Sequence, residues 1–131
     1  MLLSEQKNSK MQGNAGIGSA INYFVKNGYI VSIPLTDTQE YDLVVEINNE
    51  LKKVQVKTTF CLTKNGFYKA DLRTSGGNRS RNYNILFNKV NIDYLFILTE
   101  SNDAYFIDCK KVKGSSTITL GEDYKEFKIK V

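Results

Sequence analysis

The chain of 131 residues predicts an α/β (α+β) domain, a mixed β-sheet with a helix on at least one face. Three observations carry that prediction: helical periodicity near the N-terminus, a long hairpin pattern centred on Asn48-Asn49, and several apolar runs of strand length in the C-terminal half. No repeat and no shift of composition divides the sequence. Residues 1–131 are therefore read as one domain, long enough to bury a core without disulfides.

The helix comes first. From Gly13 to Asn27, Ile17, Ala20, Ile21, Phe24 and Val25 recur at helical spacing, and Gly28 stands where a helix stops. The glycines at 13, 16 and 18 lack the preceding strand that a nucleotide-phosphate loop requires, so they point to close packing of the helix start against the sheet or against DNA backbone. Tyr29 to Ile33 reads as a strand closed by Pro34, the only proline, and a polar loop runs on to Glu40. The hairpin from Tyr41 to Thr59 follows. Its second strand is expected to continue through Phe60, Cys61 and Leu62 to an Asn65-Gly66 turn and a further strand over Phe67 to Leu72, a meander of three strands or more. Ser75 to Asn82 has no hydrophobic rhythm and is expected to be an exposed, mobile loop. Tyr94 to Thr99 and Ala104 to Ile107 read as strands around Ser101-Asn102-Asp103, followed by a helical turn near Cys109 to Val112 and a strand over Phe127 to Val131.

The hairpin carries the chemistry. Alternation puts Asp42, Val44 and Glu46 on one face of the first strand and Lys53, Gln55 and Lys57 on the matching face of the second. A turn at Asn48-Asn49 sets Asp42 opposite Gln55; a turn at Asn49-Glu50 sets it opposite Lys57. Both registers gather Asp42, Gln55 and Lys57 on one side. An acid, an amide carbonyl and an ammonium so arranged suit a hard cation beside a positive charge, the equipment for cutting a phosphodiester. The bland alternative is a surface ion pair between Glu46 and Lys53 and an aspartate that merely starts a strand.

Composition narrows the choice. There is no histidine, which removes Ser-His and Cys-His triads and histidine-bound zinc together. Cys61 and Cys109 form neither a metal spacing nor a framework and are expected to be buried and inert. With no export signal evident in MLLSEQKNSK and no apolar run of membrane length, the expected compartment is cytoplasmic. The net charge of +4 and pI of about 9.0 favour a polyanionic partner. Lys64, Lys69, Arg73, Arg79 and Arg81 fall within one stretch whose single acid is Asp71, and with Asn78 they are the candidate nucleic-acid contacts; Asn82 and Asn84 are further adenine readers to consider. Tyr83, Phe87, Tyr94 and Phe96 fit the core better than a stacking platform.

An Asp followed a dozen residues later by Gln-Val-Lys resembles the PD-(D/E)XK nuclease superfamily, in the variation that places glutamine where the second acid usually stands. The resemblance is strongest from Gly13 to Thr59 and is closest to small homing endonucleases and Holliday junction resolvases. It implies a restriction-endonuclease-like fold and a Mg²⁺-dependent endodeoxyribonuclease, with Mn²⁺ as a substitute cation. Asp42, Gln55 and Lys57 would be the catalytic residues, with Asp42, the Gln55 side-chain oxygen and the Val56 carbonyl holding the metal and Lys57 serving the attacking water and the phosphate. The family's frequent Gly-Glu pair on the first helix is absent, since the corresponding stretch reads Gly16-Ile17-Gly18-Ser19. Glu5 or Glu40 could supply the missing charge. A duplex cutter or resolvase of this size is expected to act as a homodimer or higher homo-oligomer. The alternative function is a catalytically inactive nucleic-acid-binding module that keeps the nuclease fold.

Overall fold

The computed structural model describes residues 1–78 and 81–131, with 74–78 and 81–85 described by their backbone. After a 3-10 turn at Leu3–Glu5, helix α1 spans Ser9–Lys26 and starts earlier than its apolar periodicity suggests. The reason is its cap: the Asn8 side chain accepts from the amides of Lys10 and Met11. Gly28, at φ +82, ends it in the left-handed region.

Ten strands follow. They are β1 (Ile30–Ser32), β2 (Leu43–Ile47), β3 (Glu50–Thr59), β4 (Tyr68–Asp71), β5 (Thr74–Asn78), β6 (Arg81–Ile85), β7 (Tyr94–Thr99), β8 (Asp103–Asp108), β9 (Thr117–Leu120) and β10 (Lys128–Lys130). Six of them form the central sheet in the order β1-β2-β3-β7-β8-β10, antiparallel except for the parallel pair β3 and β7. This is the mixed α+β architecture expected from the sequence.

Three local expectations are corrected. β4 does not join the sheet of β3: the chain turns at Gly66 (φ +82) and closes on itself through the Leu62–Tyr68 bridge, the Thr63 amide on the Phe67 carbonyl and the Lys69 amide on the Cys61 carbonyl, after which β4 pairs with β9. The place beside β3 goes to β7, a parallel partner that no local pattern announces. Residues 75–82, read as a loop, fall largely within β5 and β6, a two-stranded antiparallel ribbon. Its strands carry no apolar alternation, and hence no strand signal. Cys61 is exposed, while only Cys109 is buried, with burial pushing its thiol up to about 12.

Two apolar clusters cover the two faces of the sheet. On one, Ala20 and Phe24 of α1 pack on Leu43, Val45, Val54, Phe96 and Leu98. On the other, Leu95, Ile97, Tyr105 and Ile107 pack against Ala70 and Leu72 from the β4 region, Ile118 and Leu120 of β9, and Tyr124 from the 3-10 helix Glu122–Phe127. Phe87 and Phe96 are buried in these clusters and Tyr94 packs at the edge of one, as expected; the side chain of Tyr83 lies outside the described residues.

Gly16 lets α1 approach the sheet. A Cβ there would lie 2.6 Å from Thr58 Cγ2 and 3.1 Å from Val56 Cγ1, whereas one at Gly18 meets nothing within 4 Å. The two positions should therefore respond oppositely to alanine. Gly16→Ala gains about 1 kcal/mol of helix propensity but loses about 1–3 kcal/mol to overpacking against a stiff β-branched side chain. Gly18→Ala is expected to stabilise by about 0.5–1 kcal/mol. Urea denaturation of both variants checks the signs.

Candidate active site

The turn settles the register that the sequence left open. Asn48 and Asn49 both take positive φ, at 53 and 65, and Ile47 pairs with Glu50, so the loop holds two residues of the kind that matches strand twist. Leu43 then faces Val54, which places Asp42, just before β2, across from Gln55. The Asp42 amide donates to the Val54 carbonyl at 2.9 Å, and the Val56 amide donates to Asp42 Oδ2 at 2.7 Å. Asp42 is thus fixed to β3 through both its backbone and its carboxylate. Val54 and Val56 turn toward α1, so Gln55 and Lys57 project from the opposite face, the one covered by β4 and β9.

Gln55 is only 4% exposed, and its Nε2 donates to the Glu40 carbonyl at 3.1 Å. Lys57 Nζ donates to the Arg73 carbonyl at 3.1 Å and does not close an ion pair on Asp42. Burial pushes the Asp42 carboxyl above the usual carboxylate range, against the Val56 amide and the Lys57 ammonium, which pull it down. Burial likewise pushes Lys57 below the ordinary lysine value, opposed by Asp42 and then Asp71. An acid and a base that are each disfavoured as ions by the same burial lie side by side. Perturbed titratable groups of this kind cluster at functional sites. Glu46 and Lys53 close no ion pair among the described residues: Glu46 pairs with Leu51 and Lys53 with Val44, and Lys53 Nζ lies 5.5 Å from the centre of the Tyr41 ring.

Asp71 and Arg73 belong to the surroundings of this site. Asp71 accepts from Arg73 Nε and Nη2 at 3.0 Å each and from the Arg73 amide at 2.9 Å, a fork that fixes the turn whose carbonyl receives Lys57. The sequence reading named Arg73 as a phosphate contact but gave Asp71 no role. What could have raised it is that Asp71 is the one acid in the basic stretch. Lys69 is exposed, and its carbonyl accepts from Thr59 Oγ1, two residues beyond Lys57; Lys64 is exposed in the turn before β4. Asn78 and Arg81 pair at the end of the β5–β6 ribbon, and Arg79 lies outside the described residues.

Helix α1 contains no Asp or Glu, and Ile17, within the stretch Gly16-Ile17-Gly18-Ser19, packs against the apolar cluster. Glu5 is engaged locally. Its Oε2 accepts from the Leu2 amide, and the adjoining Ser4 amide is tied to Glu100, beyond the end of β7. Glu40 differs: its Oε2 is buried with no hydrogen-bond partner among the described residues.

A model of the PD-(D/E)XK endonuclease family matches residues 7–129. The chain belongs to that family. Protein 5.3 of Escherichia phage T7 is 28% identical over 106 residues, covering 81% of this chain and 85% of its own. The bacterial homing endonuclease I-Ssp6803I has a similar fold, with a TM-score of 0.72, 28% identity, and coverage of 88% of this chain and 79% of its own. The chain is thus a nuclease of the PD-(D/E)XK endonuclease family, whose members generally use divalent metal ions and act on DNA. Among the described residues no helix is long and apolar enough to cross a membrane.

Proposed function

We propose that this protein is a Mg²⁺-dependent DNA endonuclease whose centre is Asp42, Gln55 and Lys57. The observation that carries the proposal is the pinning of Asp42 to β3 beside Lys57, with the Val56 amide on its carboxylate.

The residues fit a hard cation. No three His, Cys, Asp or Glu side chains converge among the described residues, which disfavours a closed all-protein cage. Mg²⁺ does not need one, because it keeps several waters and binds through one or two carboxylates plus substrate phosphates. Glu40, whose main-chain carbonyl accepts from Gln55, has a buried side-chain Oε2 without a hydrogen-bond partner among the described residues, the kind of oxygen that a cation would satisfy. Asp42 would hold the metal with the Gln55 side-chain oxygen and the Val56 carbonyl. When bound, the ion supplies Lewis acidity toward the phosphate and a more acidic water.

The chain's own residues do the rest. The Val56 amide steers Asp42 Oδ2 and fixes the direction of the carboxylate. Lys57, with its proton more easily released than an ordinary lysine's, orients the attacking water and offers its ammonium to the charge that develops on the phosphate. The Arg73 carbonyl holds Nζ in that orientation before substrate arrives. Lys64, Lys69, Arg73, Asn78, Arg79 and Arg81 supply the DNA contacts, and one such centre per chain calls for a homodimer or higher homo-oligomer on duplex DNA.

A second reading, a nucleic-acid-binding module without catalysis, is favoured by the absence of acids on α1 and by the neutral Gln55. Incubation with supercoiled plasmid and with a four-way junction, in Mg²⁺ or Mn²⁺ against a chelator control, separates the two. Metal-dependent nicking of plasmid identifies a duplex cutter and preferential cutting of the junction a resolvase; binding without cleavage on either substrate supports the module.

Arg73 offers a further test. Arg73→Ala removes a cation and strips the Asp71 carboxylate of its partner, so DNA affinity should fall and the log-log salt slope should flatten by about one unit. Fluorescence anisotropy across a salt series measures it. An unchanged slope places the phosphate contacts elsewhere.

A further inference from the structure

We infer that Glu40 is a second carboxylate of the cation site, replacing the acid that α1 lacks. The inference rests on the metal-dependent reading above and extends it to a residue outside the Asp-Gln-Lys signature.

Glu40 lies two residues before Asp42, in the bend that leads into β2. Its main-chain oxygen is already within the site, accepting from Gln55 Nε2 at 3.1 Å. Its side chain places Oε2 out of contact with solvent and without a hydrogen-bond partner among the described residues. A buried carboxylate oxygen with nothing to satisfy it costs free energy, and native proteins keep such a group when a water, an ion or a function compensates. No lysine or arginine closes an ion pair on it among the described residues. Charge balance points the same way. Asp42 alone brings one negative charge to a divalent ion and Gln55 brings none; Asp42 and Glu40 together would neutralise it, leaving the DNA phosphates to add affinity instead of making good a deficit. Glu5, the other acid considered from the sequence, is occupied as a backbone cap.

Calorimetric titration of Mn²⁺ into the full chain, without DNA, tests this independently of cleavage. Wild type, Glu40→Gln, Glu40→Asp and Asp42→Asn are compared, with circular dichroism to confirm folding. The expected result is a dissociation constant raised about tenfold or more in Glu40→Gln, an intermediate value in Glu40→Asp, where the carboxylate is kept with a shorter reach, and loss of binding in Asp42→Asn. Wild-type affinity in both Glu40 variants, with Asp42→Asn still silent, would overturn the inference and leave the metal reading standing. Absence of binding in wild type as well would overturn both.

Discussion

Lys57→Ala should lose about 10²–10⁴-fold in the single-turnover cleavage rate while DNA affinity changes little. Among the described residues this ammonium is the cation that acts on Asp42, and the Arg73 carbonyl holds it at 3.1 Å, so its removal takes away a preorganised charge and not a loose surface contact. The fold should tolerate the change, because burial already disfavours the charged lysine and its stem lies on the sheet face covered by β4. Lys57→Arg is not a conservative rescue. A planar guanidinium needs a different set of acceptors than one backbone carbonyl and cannot give up its proton. Full activity in Lys57→Ala would remove this residue from the mechanism.

Asp42→Asn should abolish cleavage and, in metal-free buffer at neutral pH, leave the protein slightly more stable than wild type, by about 2 °C in Tm. The sign follows from linkage. The folded Asp42 carboxyl takes up its proton at higher pH than in the unfolded chain, where the ordinary value is 3.8. As pH rises from that unfolded value through the folded one, the unfolded state loses its proton first and stability falls; above the folded value the loss is complete and constant. Asparagine keeps an oxygen for the Val56 amide but carries no charge, so its stability lacks this acidic step. Lys57 adds a second window at the other end. Its folded pKa is depressed, so the metal-free wild type should regain stability as pH climbs from the folded value toward the ordinary 10.5. Adding Mg²⁺ reverses the order of the two proteins, because only wild type gains binding energy from the ion. Scanning calorimetry across pH, with and without Mg²⁺, reads all of these signs. A destabilised Asp42→Asn in chelator would mean that the carboxylate is there to hold the fold.

How far the sequence reached can be argued from particular residues. The hairpin and its site were legible because every determinant is local: two asparagines that accept positive φ, and alternation that puts Asp42, Gln55 and Lys57 on one face whichever turn is chosen. Helix α1 was legible from the spacing of Ile17, Ala20 and Phe24, although its true start depends on the Asn8 cap, a single polar side chain ahead of any apolar rhythm. The partner of β3 was not legible. Pairing Gln55 with Leu95 and Lys57 with Ile97 joins strands separated by three others, and nothing in either strand names the other. The same holds for β4 on β9, the pairing that seats the Asp71–Arg73 turn over Lys57. The β5–β6 ribbon escaped detection because its strands lack apolar alternation, and Cys61 was misjudged because cysteine is buried so often that its type outweighed its place just past the end of β3.

The most direct measurement is a single-turnover cleavage time course on supercoiled DNA, with wild type, Asp42→Asn and Lys57→Ala from parallel preparations across a Mg²⁺ series and in chelator. An endonuclease centred on Asp42, Gln55 and Lys57 predicts nicked product from wild type that rises and saturates with Mg²⁺ and vanishes in chelator, with no measurable cutting by Asp42→Asn and cutting slowed about 10²–10⁴-fold in Lys57→Ala, although both bind the DNA. Cleavage by wild type that is indifferent to chelator, or that persists undiminished in Asp42→Asn, would contradict it.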